Sequence, residues 1–293
     1  MKNALWMTLT LLGWNAFFRL IVLTVVTYFM SNGGASFSDI VEVSASNRIA
    51  FAGLSVITLT LVLTQPNPLF SFTRNEIINW KRIEGFFMPA FIRGSVFGCV
   101  FVLCGLILGH YQFLGFFVLN EVSFFTLAVL IFKVFCIFAM VWLHEFYYRQ
   151  KMFEYLRNHF DPLRQILIAA MIYTLMQSLQ FQIGLAHQLT LTLIGVSLGL
   201  RTFLKQDFGW GAGLLFGFLI VVHIVFSLPL LGNESQGIIL VKYNYKAEID
   251  AAWMRFLTGG AGGPLASITI QSILIIDCFN LFKQYWLSRA KPN

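Results

Sequence analysis

Apolar residues occupy the chain in long runs, and polar residues collect in the short stretches between them. A helix needs about 20 apolar residues to cross a hydrocarbon core about 30 Å thick, because each residue rises about 1.5 Å. By that measure the pattern predicts eight spans: Leu5–Met30, Arg48–Leu63, Phe87–Gly109, Val122–Leu143, Leu163–Gln180, Leu189–Leu204, Trp210–Leu231 and Leu265–Leu287. The first run is longer than a signal peptide and lacks a small-residue cleavage site, so it reads as a retained helix. Two connecting segments are long. Gln65–Gly85 carries Pro66, Pro68 and mixed charges and suits the inner membrane surface. Gly232–Gly263 holds an alternating stretch, Ile238–Ile249, that fits a short strand or hairpin arm. It closes on Gly259-Gly260-Ala261-Gly262-Gly263-Pro264. Without a preceding strand or a lysine, that cluster suits a tight helix entry better than an anion site.

Composition settles the class. Hydrophobic residues make up 58% of the chain and charged ones 11%, whereas a soluble domain carries roughly a quarter charged residues to face water. The expectation is an all-α integral membrane protein forming one domain over residues 1–293. The cysteines Cys99, Cys104, Cys136 and Cys278 fall inside apolar runs. They read as small buried hydrophobes, with no spacing that suggests a disulfide framework or a zinc ribbon.

The net charge of +7 sits at the ends of apolar runs rather than on one face, which argues against nucleic acid as a partner. It reports orientation instead. Of the 20 Lys and Arg, 13 fall in segments on the N-terminal side of the membrane, four on the other side and three within spans. The bias places both termini in the cytoplasm. Trp6, Trp80, Trp142, Trp210 and Trp286 lie near the same face, as an interfacial aromatic belt would.

Charged and polar side chains at membrane depth are expensive and mark candidate chemistry. The densest group is Trp142-Leu143-His144-Glu145-Phe146-Tyr147-Tyr148-Arg149, at the expected inner end of the fourth span. There Glu145 and Arg149 are i and i+4 on one helical face. The fifth span adds Gln177; the seventh adds His223 and Ser227, one turn apart. Arg19, Arg93, Lys133 and Asp277 open a transporter reading, or else pair between helices, for example Arg19 with Asp277. No inverted repeat supports transport.

In this arrangement the chain resembles the CPBP (Abi) intramembrane proteases, which include the CAAX prenyl endopeptidase. Their signature is Glu-Glu-x-x-x-Arg, then Phe-x-x-x-His on the next helix, then His-x-x-x-Asn two helices later. Here His144-Glu145-x-x-x-Arg149, Tyr173-x-x-x-Gln177 and His223-x-x-x-Ser227 stand in those places, with Gly195-Val-Ser-Leu-Gly199-Leu-Arg201-Thr202 and Gly209-Trp210 between the last two. The resemblance covers about Val141 to Leu228. It implies a protease-like core over about 120–231, an external loop over 232–263 and a last helix over 264–287.

It also implies that Glu145, Arg149 and His223 keep family positions, while His144 replaces the water-activating glutamate, Gln177 a histidine and Ser227 the oxyanion-binding asparagine. Three routes to hydrolysis follow. Glu145 could be the base, His144 could be the base, or His144, His223 and Glu145 could hold zinc, whose bound water needs no strong external base. The opposing expectation is a pseudoprotease that holds a partner or a lipidated peptide. The partners implied are membrane lipid and a membrane-embedded or lipidated peptide or protein. The implied location is a bacterial inner (plasma) membrane.

Overall fold

The computed structural model describes residues 79–116, 124–181, 183–229, 237–244 and 252–290, with isolated positions between residues 6 and 60. The expected spans Leu5–Met30 and Arg48–Leu63 lie largely outside the described residues, as does most of Gln65–Gly85. Helices account for most of the rest. The longer ones are α1 (Met88–Ile107), α2 (Phe124–Glu145), α3 (Pro162–Phe181), α4 (Leu185–Lys205), α5 (Gly209–Leu219) and α6 (Ile268–Ala290). Wide π turns extend three of them, at Ile83–Phe87 before α1, Phe146–Lys151 after α2 and Ile220–Val225 after α5.

Among the described residues, two helical stretches, Ile83–Ile107 and Leu130–Leu156, are long and apolar enough to cross a membrane. The first carries an exposed row at helical spacing: Met88, Ile92, Val96, Val100, Leu103 and Ile107. On α3 the row is Leu167, Met171 and Leu175. Apolar rows that broad suit contact with hydrocarbon rather than water.

The chain is not wholly α. β1 (Tyr111–Phe116) pairs antiparallel with β2 (Ile239–Tyr243), with Tyr111 opposite Tyr243 and a register slip between Phe113 and Gly115. The alternation at Ile238–Ile249 predicts β2 alone; its partner lies far back in sequence, just after α1. Asn244 closes the pair, donating from its backbone to His110 and from its side chain to Gly109. The glycine cluster forms a tight entry to α6, as its sequence suggests. Gly259 and Gly263 sit at φ +83 and +82 around two short 3₁₀ turns, a conformation that only glycine adopts cheaply. His187 clamps this entry through Nε2 to the Gly262 carbonyl at 2.8 Å.

The helices pack with consistent relative directions. Ala170 meets Gly195 and Ile166 meets Gly199, so α3 and α4 are antiparallel. Gly94 meets Leu214 while Gly98 meets Val221, so α1 and α5 are parallel. Gln271 reaches Ala186 while Asp277 reaches Ser197, so α4 and α6 are parallel too. Small residues make the α1–α5 contact close. Gly94 and Gly98 on α1 face α5, whose Gly213 and Gly217 abut the carbonyls of Phe87 and Phe91. Paired Gly-x-x-x-Gly patterns let backbones approach where lipid supplies no hydrophobic drive.

Candidate functional site

The fourth expected span does not stop at Leu143. It runs on through the π turn and a short helix, Met152–Leu156. Glu145 therefore lies inside a continuous helix rather than at its end, 0% exposed. One turn later Arg149, 1% exposed, approaches it to 3.5 Å. The pairing expected from the i, i+4 spacing is present, on the wider π turn that such sites often carry.

Next to Glu145 on the chain, His144 faces α3, where Gln177 Nε2 lies 3.2 Å from its Nδ1. Tyr148 and Tyr173 complete the wall. Their rings meet edge to face at 5.5 Å, and the Arg149 guanidinium stacks over Tyr173 at 4.8 Å. Four sequence candidates, His144, Glu145, Arg149 and Gln177, thus come together with two tyrosines between α2 and α3. In the sequence Tyr173 stands out only as the first residue of the Gln177 motif, and Tyr148 only as a neighbour of Arg149. Their periodicity relative to Gln177 and His144, four residues each, is the signal that places them in the same wall.

The cluster is under-satisfied. Among the described residues, the Glu145 carboxylate, the Tyr148 hydroxyl and all three Arg149 nitrogens make no hydrogen bond. A buried ion pair without such bonds repays its desolvation poorly, so it is weak as a stabilising device. Buried ionisable groups kept in that state mark functional sites by their chemistry.

His223 and Ser227 are elsewhere. The part of α5 that faces Glu145 is Gly211, whose backbone meets the carboxylate. His223 comes twelve residues later on the same helical rod, about 18 Å along its axis at the usual rise. There its Nδ1 lies 3.2 Å from the Leu228 carbonyl. Ser227 sits at φ +53 and its Oγ accepts the Gly237 N–H at 2.8 Å. Together they fold the chain back where the seventh helix ends, at Val225 rather than the expected Leu231. The convergence of Glu145, Gln177 and His223 suggested by sequence is replaced by two separate groups. The zinc set of His144, His223 and Glu145 is not assembled, and no other His, Cys, Asp or Glu trio among the described residues is placed to hold a metal.

The other charged candidates are accounted for in part. Asp277 on α6 pairs with Arg201 of α4 and accepts the Ser197 hydroxyl at 2.5 Å. Arg201 thus takes the place suggested for Arg19, which lies outside the described residues. Arg93 stacks over Trp210 at 4.8 Å.

No protein-family model, curated protein or solved structure matches the chain. The likeness to the CPBP proteases therefore rests on the motif residues of the sequence alone.

Proposed function

We propose that the protein is an integral membrane protein of eight spans with cytoplasmic termini. In this reading it is a CPBP-like bundle that holds a membrane-associated or lipidated peptide without hydrolysing it. The observation that carries the reading is the separation of Glu145 from His223. Hydrolysis needs a water activator and oxyanion donors around one reacting carbonyl, and here Glu145 faces a glycine backbone. Losing one oxyanion donor costs a factor of about 10² to 10³, and a displacement of this size removes more than one.

Three features support the membrane and ligand parts. The helix directions are those that strict alternation through a bilayer requires. Arg82, Arg149, Arg157, Arg201 and Lys205 gather at one end of the bundle, as the positive-inside rule asks. An apolar cavity of about 220 Å³ lies between α1, α4, α5 and α6, lined by Phe97, Leu198, Leu215 and Phe218 among others. Leu198 also lies against Gly211, which faces Glu145. A hydrocarbon chain in that cavity would bring its attached peptide to the polar cluster.

A second reading, a slow intramembrane endopeptidase, turns on the orientation of the Gln177 amide against His144 Nδ1. With Gln177 donating to Nδ1, the neutral His144 ring carries its proton on Nε2 and offers no free lone pair. With the Gln177 amide turned over, Nε2 becomes a base. The experiment uses the protein in nanodiscs and a fluorescent farnesylated peptide. Wild type is expected to bind the peptide and leave it intact, and Leu198→Trp, which fills the cavity, to abolish binding. Cleavage by wild type that disappears in Glu145→Gln would establish the endopeptidase reading instead, and no binding at all would remove both.

A further inference from the structure

We infer that the loops at the outer end of the bundle form a platform seated in the headgroup layer of the outer leaflet, not in water. The platform consists of the β1–β2 pair and a short helix, Ala252–Thr258. The inference rests on the membrane reading proposed above and is independent of its protease-like part.

Three observations carry it. The first is apolar exposure on both elements. Phe113, Leu114 and Phe116 of β1 are 53%, 53% and 44% exposed, and the rings of Phe113 and Phe116 meet at 5.3 Å. On the short helix Trp253, Phe256 and Leu257 are exposed; at i, i+3 and i+4 they share one face. The second observation is that the two elements are neighbours. His110, just ahead of β1, meets the Trp253 ring edge to face at 6.5 Å. The third is continuity with the faces turned to hydrocarbon. The exposed row of α1 ends on Ile107 and Leu108, a single glycine turn before His110 and β1. The short helix is docked on the start of α6, where Thr269 Oγ1 donates to the Leu257 carbonyl at 2.7 Å. Beyond that bond α6 exposes Ile275 and Ile276. The surfaces of α1 and α6 that suit lipid thus carry over into the loops.

Two opposing costs set the depth. In water a two-stranded ribbon is marginal, and an apolar strand with a free edge invites association. In hydrocarbon the free edge is worse, because its peptide groups find no partner there. Among the described residues β1 pairs only with β2, so it keeps one such edge. The headgroup layer meets both demands: upper acyl carbons cover the rings while water and headgroups pair with the edge. Lys242, exposed on β2 opposite Gln112, adds a cation where lipid phosphates lie.

The test places a fluorophore on single cysteines in the full chain, with the native cysteines replaced by alanine, in phosphatidylcholine vesicles. Phe113→Cys and Phe256→Cys report on the platform, and Leu114→Cys and Leu257→Cys repeat the reading at adjoining exposed positions. Val96→Cys and Ile276→Cys, exposed along α1 and α6, report on the spans. Quenchers are lipids with a doxyl group near the headgroup, lipids with one near the chain end, and iodide in the water. Platform labels are expected to be quenched about twofold more by the shallow doxyl lipid than by the deep one, as fits burial of about 5–10 Å. Span labels should show the reverse order. Platform labels quenched by iodide as freely as the dye in solution, with no doxyl quenching, would place the loops in water and overturn the inference. So would labels that no quencher reaches, which would mean a protein cover, or labels that follow the deep lipid as the spans do. In those cases doxyl quenching at Val96 and Ile276 leaves the membrane reading standing. Its absence there as well would overturn both.

Discussion

The carboxylate of Glu145 lies against the backbone of Gly211, so closely that a Cβ there would stand 2.7 Å from Oε2. Both residues are buried, and the carboxylate has little room to retreat. Gly211→Ala is therefore expected to destabilise the protein by about 1–3 kcal/mol, the usual cost of overpacking. Glu145→Ala alone should cost about 3–5 kcal/mol, because it strands Arg149 as a buried unpaired charge. The double variant should be less unstable than the sum, since removing the carboxylate relieves the clash. Thermal unfolding in detergent reads all three; strict additivity would mean that the two groups do not touch.

Asp277 joins α6 to α4 through two partners, Arg201 and the Ser197 hydroxyl. Side-chain hydrogen bonds between membrane helices are worth about 0.6 kcal/mol on average and up to about 1.7. Asp277→Asn keeps acceptor and donor capacity and should lose less stability than Asp277→Leu. A double-mutant cycle with Arg201→Met should give a coupling of about 0.5–2 kcal/mol. A coupling indistinguishable from zero would make the pair incidental to the α4–α6 contact.

What could be read in the sequence was what depends on local pattern. The expected span Leu163–Gln180 differs from α3 by one residue at each end, because lipid length and apolar composition act locally. The pairing of Glu145 with Arg149 follows from helical spacing, and its persistence needed only that the helix continue. Asp277 was legible as a charge at membrane depth, but choosing Arg201 over Arg19 required knowing that α4 and α6 run side by side. His223 misled for the same reason. Its spacing to Ser227 fits one helical turn, yet its depth relative to Glu145 depends on how α2 and α5 slide past each other. The strand Tyr111–Phe116 had no signal of its own, since a strand's partner can lie at any distance along the chain.

Asp207 ties two elements together. Its Oδ2 accepts from Arg82 and its Oδ1 from the Gly209 backbone N–H at the start of α5, both at 2.6 Å. Arg82 also stacks over Phe208 at 4.5 Å. Asp207→Asn keeps an oxygen for the Gly209 N–H and loses the ion pair, so it should cost under about 1 kcal/mol. Asp207→Ala loses both and should cost about 1–2 kcal/mol, as loss of a helix-start acceptor does. Equal unfolding midpoints for the two variants would show that only the ion pair matters.

The α1–α5 contact gives the sharpest mechanical test, because glycine is required there for space and not for backbone conformation. Gly94 meets the Leu214 carbonyl, and Gly217 meets that of Phe91 and the Ser95 backbone. These neighbours are main chain, so no rotamer change can make room. Gly94→Leu or Gly217→Leu must push the helices apart, opening the packing that seats Phe87 against Phe216 and Trp142. Each is expected to prevent accumulation of folded protein. Gly85, whose added Cβ would meet nothing within 4 Å, supplies the control, and Gly85→Ala should be stabilising or neutral, because helix propensity favours alanine by up to about 1 kcal/mol. Size-exclusion profiles in mild detergent distinguish the outcomes. Monodisperse Gly94→Leu at wild-type yield would mean that α1 and α5 do not approach through their glycines.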